Sequence, residues 1–98
     1  MRLAARVDKN HGEVVKAFRD LGCSVLSLAQ LGKGVPDLVV SKNGRTCMVE
    51  VKSGNNDLND DQRAFKEGWQ GMYALVRDEA GVRTVVGVLR GEKEVDHG

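Results

Sequence analysis

The sequence predicts a small α/β domain of the α+β kind, with helices alternating with strands, and three observations predict it. Val14, Val15, Ala17, Phe18 and Leu21 recur at helical spacing across residues 10–21, and Gly22 stops the run. Asn43-Gly44 stands between two apolar runs, the strongest short hairpin signal in the chain and one that favours a type I′ turn. Asn59 and Gln62 open a second helical stretch, and after Gly71 comes a further strand-like run.

Each element follows from its residues. Asn10 and Glu13 form an N-x-x-E pair, a capping-box-like start, with Glu13 in the first turn where the helix dipole favours an anion. Residues 23–29 alternate apolar with small polar side chains, as a half-buried strand does. The loop Leu31-Gly32-Lys33-Gly34 leads into Val35-Pro36-Asp37, and Leu38-Val39-Val40 reads as a buried strand. After the turn, residues 45–52 return as an antiparallel strand, with Cys47, Val49 and Val51 on one face and Met48, Glu50 and Lys52 on the other. Residues 53–58 are polar and turn-rich; a helix then runs from Asn59 to about residue 69, and residues 72–77 read as a strand. The stretch 79–90 is open between two states. Val82, Val85, Val86 and Leu89 have helical spacing after a possible Asp78 cap, whereas Thr84-Val85-Val86 is β-branched and two glycines intrude. The spacing tips the expectation towards a helix, and the tail from Gly91 is expected to fray.

At 98 residues the chain is read as one domain, 1–98, with its core at about 6–90. A composition of 41% hydrophobic residues with one Pro is globular, while 4% aromatics leave the core to Val, Leu and Ala. So small a core gains from burying a face in a second copy, which makes a homodimer an expectation from size alone. Fifteen basic against 14 acidic residues give a net charge of +1, which argues neither for nor against a polyanionic partner. Cys23 and Cys47 read as buried reduced thiols of a cytoplasmic protein. No apolar run reaches the roughly 18 residues of a membrane span, and the start from Met1 to Arg6 is charged too early for a signal peptide. His11 and His97 are too isolated for a zinc site, and no Gly-Lys-Ser/Thr follows Gly32 and Gly34, so no nucleotide-binding P-loop is expected.

The chemistry concentrates on the hairpin. If Lys42 pairs with Arg45, partner numbers sum to 87 and Asp37 falls opposite Glu50, with Lys52 on the same face. Opposed carboxylates repel, and a divalent cation resolves the conflict. Mg²⁺ is held by one or two carboxylates plus water and phosphate oxygens, and the Val51 carbonyl could complete such a set. A lysine beside it can orient the attacking water or stabilise transition-state charge.

Pro36-Asp37 followed by Glu50-Val51-Lys52 resembles the PD-(D/E)xK nucleases. The wider pattern resembles the virus-type replication-repair nuclease (VRR-Nuc) family of that superfamily, over residues 6–77. It consists of Arg6-x-Asp8-x-Asn10-x-x-Glu13-Val14-Val15, then Gly32-x-Gly34-Val35-Pro36-Asp37-Leu38, the Glu50-Val51-Lys52 motif, and Asp61-Gln62. The resemblance implies a restriction-endonuclease-like core, a mixed central sheet flanked by helices, with one or two Mg²⁺ or Mn²⁺ ions. It implies Asp37 and Glu50 as metal ligands, Glu13 as the additional acidic residue, Lys52 as the catalytic lysine, and Gln62 as the helix-borne support of the site. It further implies a stand-alone phage- or prophage-type endonuclease, homodimeric, acting on branched DNA such as four-way (Holliday) junctions and leaving a 5′ phosphate. Arg6, Lys9, Asn10, Lys33 and Arg45 are the expected DNA contacts, and Trp69 belongs to core or dimer interface. The alternative is a non-catalytic DNA-binding or assembly module that retains the fold. Within the superfamily, restriction-type and tRNA-intron-type enzymes are the rivals.

Overall fold

The structure, a computed structural model, describes residues 8–92; Arg6 and His97 lie outside them. Helix α1 spans His11–Asp20 and ends as expected, with Gly22 at φ +87° and its N–H donating to the Arg19 carbonyl. Its start differs from the expected capping box: Asn10 occupies the N-cap position but makes no side-chain cap bond. Its amide instead donates to the carbonyls of Lys52 (3.2 Å) and Arg77 (2.8 Å), so tertiary acceptors outcompete the local cap.

Strand β1 is Ser24–Ser27, shorter than expected, and only Val25 is turned partly into the core. Strands β2 (Leu38–Lys42) and β3 (Arg45–Val51) form the hairpin. Asn43 (φ 58°) and Gly44 (φ 78°) both take positive φ, as a type I′ turn requires. The register is the anticipated one, from Lys42↔Arg45 to Leu38↔Val49. Helix α2 is Asp60–Gly68, strand β4 Met72–Val76 and helix α3 Glu79–Leu89. The Asn59/Gln62 capping box of α2 forms in both directions, each bond 2.9 Å. Residues 79–89 resolve as helix: Asp78 caps Gly81 N at 3.0 Å, and burying Val82, Val85, Val86 and Leu89 on one stripe outweighs the weak helix propensity of valine.

The sheet order is β1-β2-β3-β4, antiparallel except for the parallel β3–β4 pair, so the sheet is mixed. One face carries Leu38, Val40, Cys47, Val49, Val51 and Val76, packed against Val14 and Phe18 of α1 and the valine stripe of α3. Each such side chain, fully buried, contributes on the order of 1.5–3 kcal/mol. The opposite face carries Met48, Glu50 and Tyr73 and meets α2. No residue of α2 is buried. What docks it is Phe65, stacked on Trp69 (5.4 Å between centroids) and tilted against Tyr73 (6.4 Å), together with a bond from Gln62 to Glu50. Helices therefore flank both faces of the sheet. Among the described residues no helix is long and apolar enough to cross a membrane.

Candidate active site

Asp37 stands one residue ahead of β2, whose last pair is Leu38↔Val49, and its carboxylate reaches the end of β3, where it meets the Val51 N–H and the Glu50 carboxyl. Both are buried, Asp37 to 8% and Glu50 to 3% exposure. They line a cavity of about 330 Å³ with Lys52, Asp8, Lys33 and Gln62. Four parts of the chain meet there: the lead-in to α1, the Gly32–Gly34 loop, the hairpin and the first turn of α2. The loop fits because of Gly34, which has φ +84° and presses on the α2 backbone; a Cβ there would stand 2.6 Å from the Asp61 carbonyl carbon.

Asp37 accepts a hydrogen bond from the Val51 N–H at 2.9 Å. Glu50 Oε2 accepts from Gln62 Nε2 at 3.1 Å and lies 3.9 Å from Lys52 Nζ. Glu50 Oε1 is buried with no partner among the described residues. Burial raises the Asp37 carboxyl above its ordinary range despite the Val51 bond. Burial, and then the charge of Asp37, push Glu50 up to about 8, against the pull of Lys52. The two carboxyls thus lie within hydrogen-bonding reach of each other beside the Lys52 ammonium, and Glu50, holding its proton, leaves the pair short of the positive charge that full ionisation of both would need.

A hard divalent cation fits that deficit. Among the described residues no three His, Cys, Asp or Glu side chains gather as a metal-binding group. The cavity offers a carboxylate pair, the donor set of an ion that fills its other positions with water, carbonyl and phosphate oxygens. Val51 lies between Glu50 and Lys52, with its side chain in the core and its N–H on Asp37.

The other expected residues are dispersed. Glu13 is exposed and lines a different cavity, with Asn10, Val14, Arg77, Asp78 and Glu79, so the α1 residue expected at the metal stays outside the cavity of Asp37 and Glu50. Arg45 sits at the turn end of β3, five residues from Glu50, about 17 Å along a strand. Its guanidinium donates to the Val88 carbonyl, so it supports α3 rather than the cavity. Asn10 spends its amide nitrogen on the backbone carbonyls of Lys52 and Arg77. Lys33 does line the cavity, whereas Lys9 is exposed outside it. The Arg6 assignment lies outside the described residues.

Two residues had no assigned role. Asp8 enters the cavity from the chain ahead of α1; it stood in the quoted motif, two positions before Asn10, and that spacing was its only signal. Tyr73 lies diagonal to Glu50 on the same face, its hydroxyl buried and without a hydrogen-bond partner among the described residues. Burial, with the charges of Glu50 and Asp37, pushes that phenol to about 12, and no spacing in the sequence marks it.

No curated protein matches the chain. The family model described as the VRR-NUC domain matches residues 4–71, more than half of its length and all of the hairpin that carries Asp37, Glu50 and Lys52. The chain therefore belongs to the VRR-NUC domain family, and its function is nuclease-type processing of DNA.

Proposed function

We propose that this chain is an Mg²⁺- or Mn²⁺-dependent endonuclease that hydrolyses phosphodiester bonds of branched DNA, four-way junctions among them. The observation that carries the reading is the buried Asp37–Glu50 pair, its two carboxyls in contact and Lys52 beside them. Asp37, Glu50 and the Val51 carbonyl would hold the metal, whose chemistry is to polarise the phosphate and lower the pKa of a water. Gln62 fixes Glu50 Oε2, and the Lys52 ammonium, 3.9 Å from Glu50, orients the water and offsets charge on the phosphoryl oxygens. Water oxygen, giving up a proton to solvent, bonds to phosphorus as the bond to the 3′ oxygen breaks; the departing 3′ oxygen takes up a proton from solvent, leaving a 3′ hydroxyl and a 5′ phosphate. Lys33, with Lys9 and Arg6, would meet backbone phosphates, so that shape rather than base edges sets the choice of substrate. Glu13, outside the cavity, is given no catalytic part. A homodimer would present two sites and nick two strands of a symmetric junction.

The test is cleavage of a labelled four-way junction beside linear duplex and flap DNA, in Mg²⁺, Mn²⁺ or EDTA, with K52A and D37A as controls. Metal-dependent cutting of the junction, lost in both variants, is expected. Binding without cutting in any metal, unchanged by either substitution, would overturn the proposal in favour of a binding module.

A further inference from the structure

Lys52 lies one residue beyond the end of β3, where ladder pairing stops and a strand terminus ordinarily loosens. Its backbone is nevertheless held on every side. Its N–H donates to the Val76 carbonyl at 3.1 Å. Its carbonyl accepts from Asn10 Nδ2 at 3.2 Å. The N–H of Ser53, at the other end of the same peptide unit, donates to Asp8 Oδ2 at 2.6 Å, and the Ser53 hydroxyl donates to that oxygen at 2.8 Å. We propose that Asp8 and Asn10 are positioning residues for Lys52, gripping the two ends of the Lys52–Ser53 peptide unit so that the lysine enters the cavity from a fixed backbone.

The chemistry of the two side chains suits the task. An amide nitrogen carries two protons, and Asn10 gives one to Lys52 O and one to Arg77 O, tying the end of β3 to the residue after β4. A carboxylate is acceptor-only while ionised, and Asp8 is met by donors alone: Ser53 twice and Asn56 at 3.4 Å. Burial acts to raise its carboxyl, but those donors and the Lys52 charge outweigh it and hold Asp8 below its ordinary value. Two residues apart at the lead-in to α1, the pair acts as acceptor and donor on one peptide. The inference rests on the reading of Lys52 as the catalytic lysine, and explains why Asp8 and Asn10 accompany the Glu50-Val51-Lys52 motif.

The test compares D8A, D8N and N10A. Asparagine at position 8 keeps an acceptor for Ser53 N–H and removes the charge, so the clamp needs what D8N retains. A displacement of about 1 Å at a catalytic group costs about 100-fold. Accordingly, kcat for junction cleavage is expected to fall by about that factor in D8A and N10A, with KM and Mn²⁺ affinity unchanged, and D8N is expected to recover most of the loss. A D8N as inactive as D8A would overturn positioning in favour of a role for the charge itself. An N10A loss in KM alone would overturn it in favour of a DNA contact. Because Asn10 also ties β4, D8A serves as the variant that leaves that tie intact. Amide exchange at Ser53 is independent of catalysis: protection in wild type and D8N and loss of it in D8A support the clamp, while equal protection in all three sinks it. A wild-type protein that cuts nothing would fail the nuclease reading, and the Ser53 exchange would still decide whether the clamp exists.

Discussion

Burial of Glu50 beside Asp37 couples its proton to folding. A carboxyl whose native value is raised is favoured protonated in the folded state, so its contribution is most stabilising below the ordinary value near 4.5. As pH climbs from there to about 8, the unfolded chain ionises while the native one resists, and the metal-free protein loses stability across that window. E50Q removes the titrating group while keeping its size and an acceptor for Gln62. Denaturation midpoints of metal-free protein measured from pH 4.5 to 8 are therefore expected to fall steadily in wild type and to flatten in E50Q. Equal slopes in the two proteins would refute the assignment of the strained proton to Glu50. Tyr73 belongs to the same local account, since its buried hydroxyl next to two carboxylates keeps its proton over the whole range.

Among the elements, the loop that closes the cavity depends on Gly34 in a way that the hairpin turn does not depend on Gly44. Both have positive φ, at 84° and 78°, so an alanine at either costs about 1–2 kcal/mol of left-handed strain. Only at position 34 does the added Cβ meet the Asp61 backbone; at position 44 it meets open space. G34A is expected to lower the melting temperature well beyond G44A and to shift α2, taking Gln62 from Glu50; matching melts would show that the close approach is unimportant. The same elements show what sequence can say. Turn chemistry is local, so Asn43-Gly44 revealed the register and with it the opposition of Asp37 and Glu50. Two N-x-x-E/Q starts looked alike, yet only the exposed Asn59 caps its helix, because Asn10 finds strand-end carbonyls that the sequence does not reveal. Helical spacing put Glu13 on a face of α1 but could not say which way that face turns, and Asp8, ahead of the helix, had no periodicity to mark it. For residues 79–90 the valine spacing tips the expectation towards a helix against the β-branched run, and the packing of that valine stripe on the sheet is the physical reason the helix forms.

At the scale of the whole molecule the two faces of the sheet do different work. The α1–α3 face is apolar and holds the fold together, while the α2 face buries two carboxylates under a helix that itself buries no residue. That second face is held by the Phe65–Trp69–Tyr73 ring cluster and the Gln62–Glu50 bond, and the cation that the site is proposed to bind would add to them. A ligand that binds only the native state stabilises it by about 2.7 kcal/mol at 100 times its dissociation constant. At about 4–8 °C per kcal/mol for a domain of this size, that is a rise in melting temperature of roughly 10–20 °C. Because the carboxylates must shed their proton to take the ion, the rise is expected to grow from pH 5.5 to pH 8, opposite in sign to the loss of the metal-free protein. Melting in Mg²⁺, Mn²⁺ and EDTA at several pH values tests this directly, with E50Q as the control that abolishes the effect. A melting temperature indifferent to metal at every pH would mean that the buried carboxylates are balanced by protons alone, and the metal-dependent mechanism would fall with it.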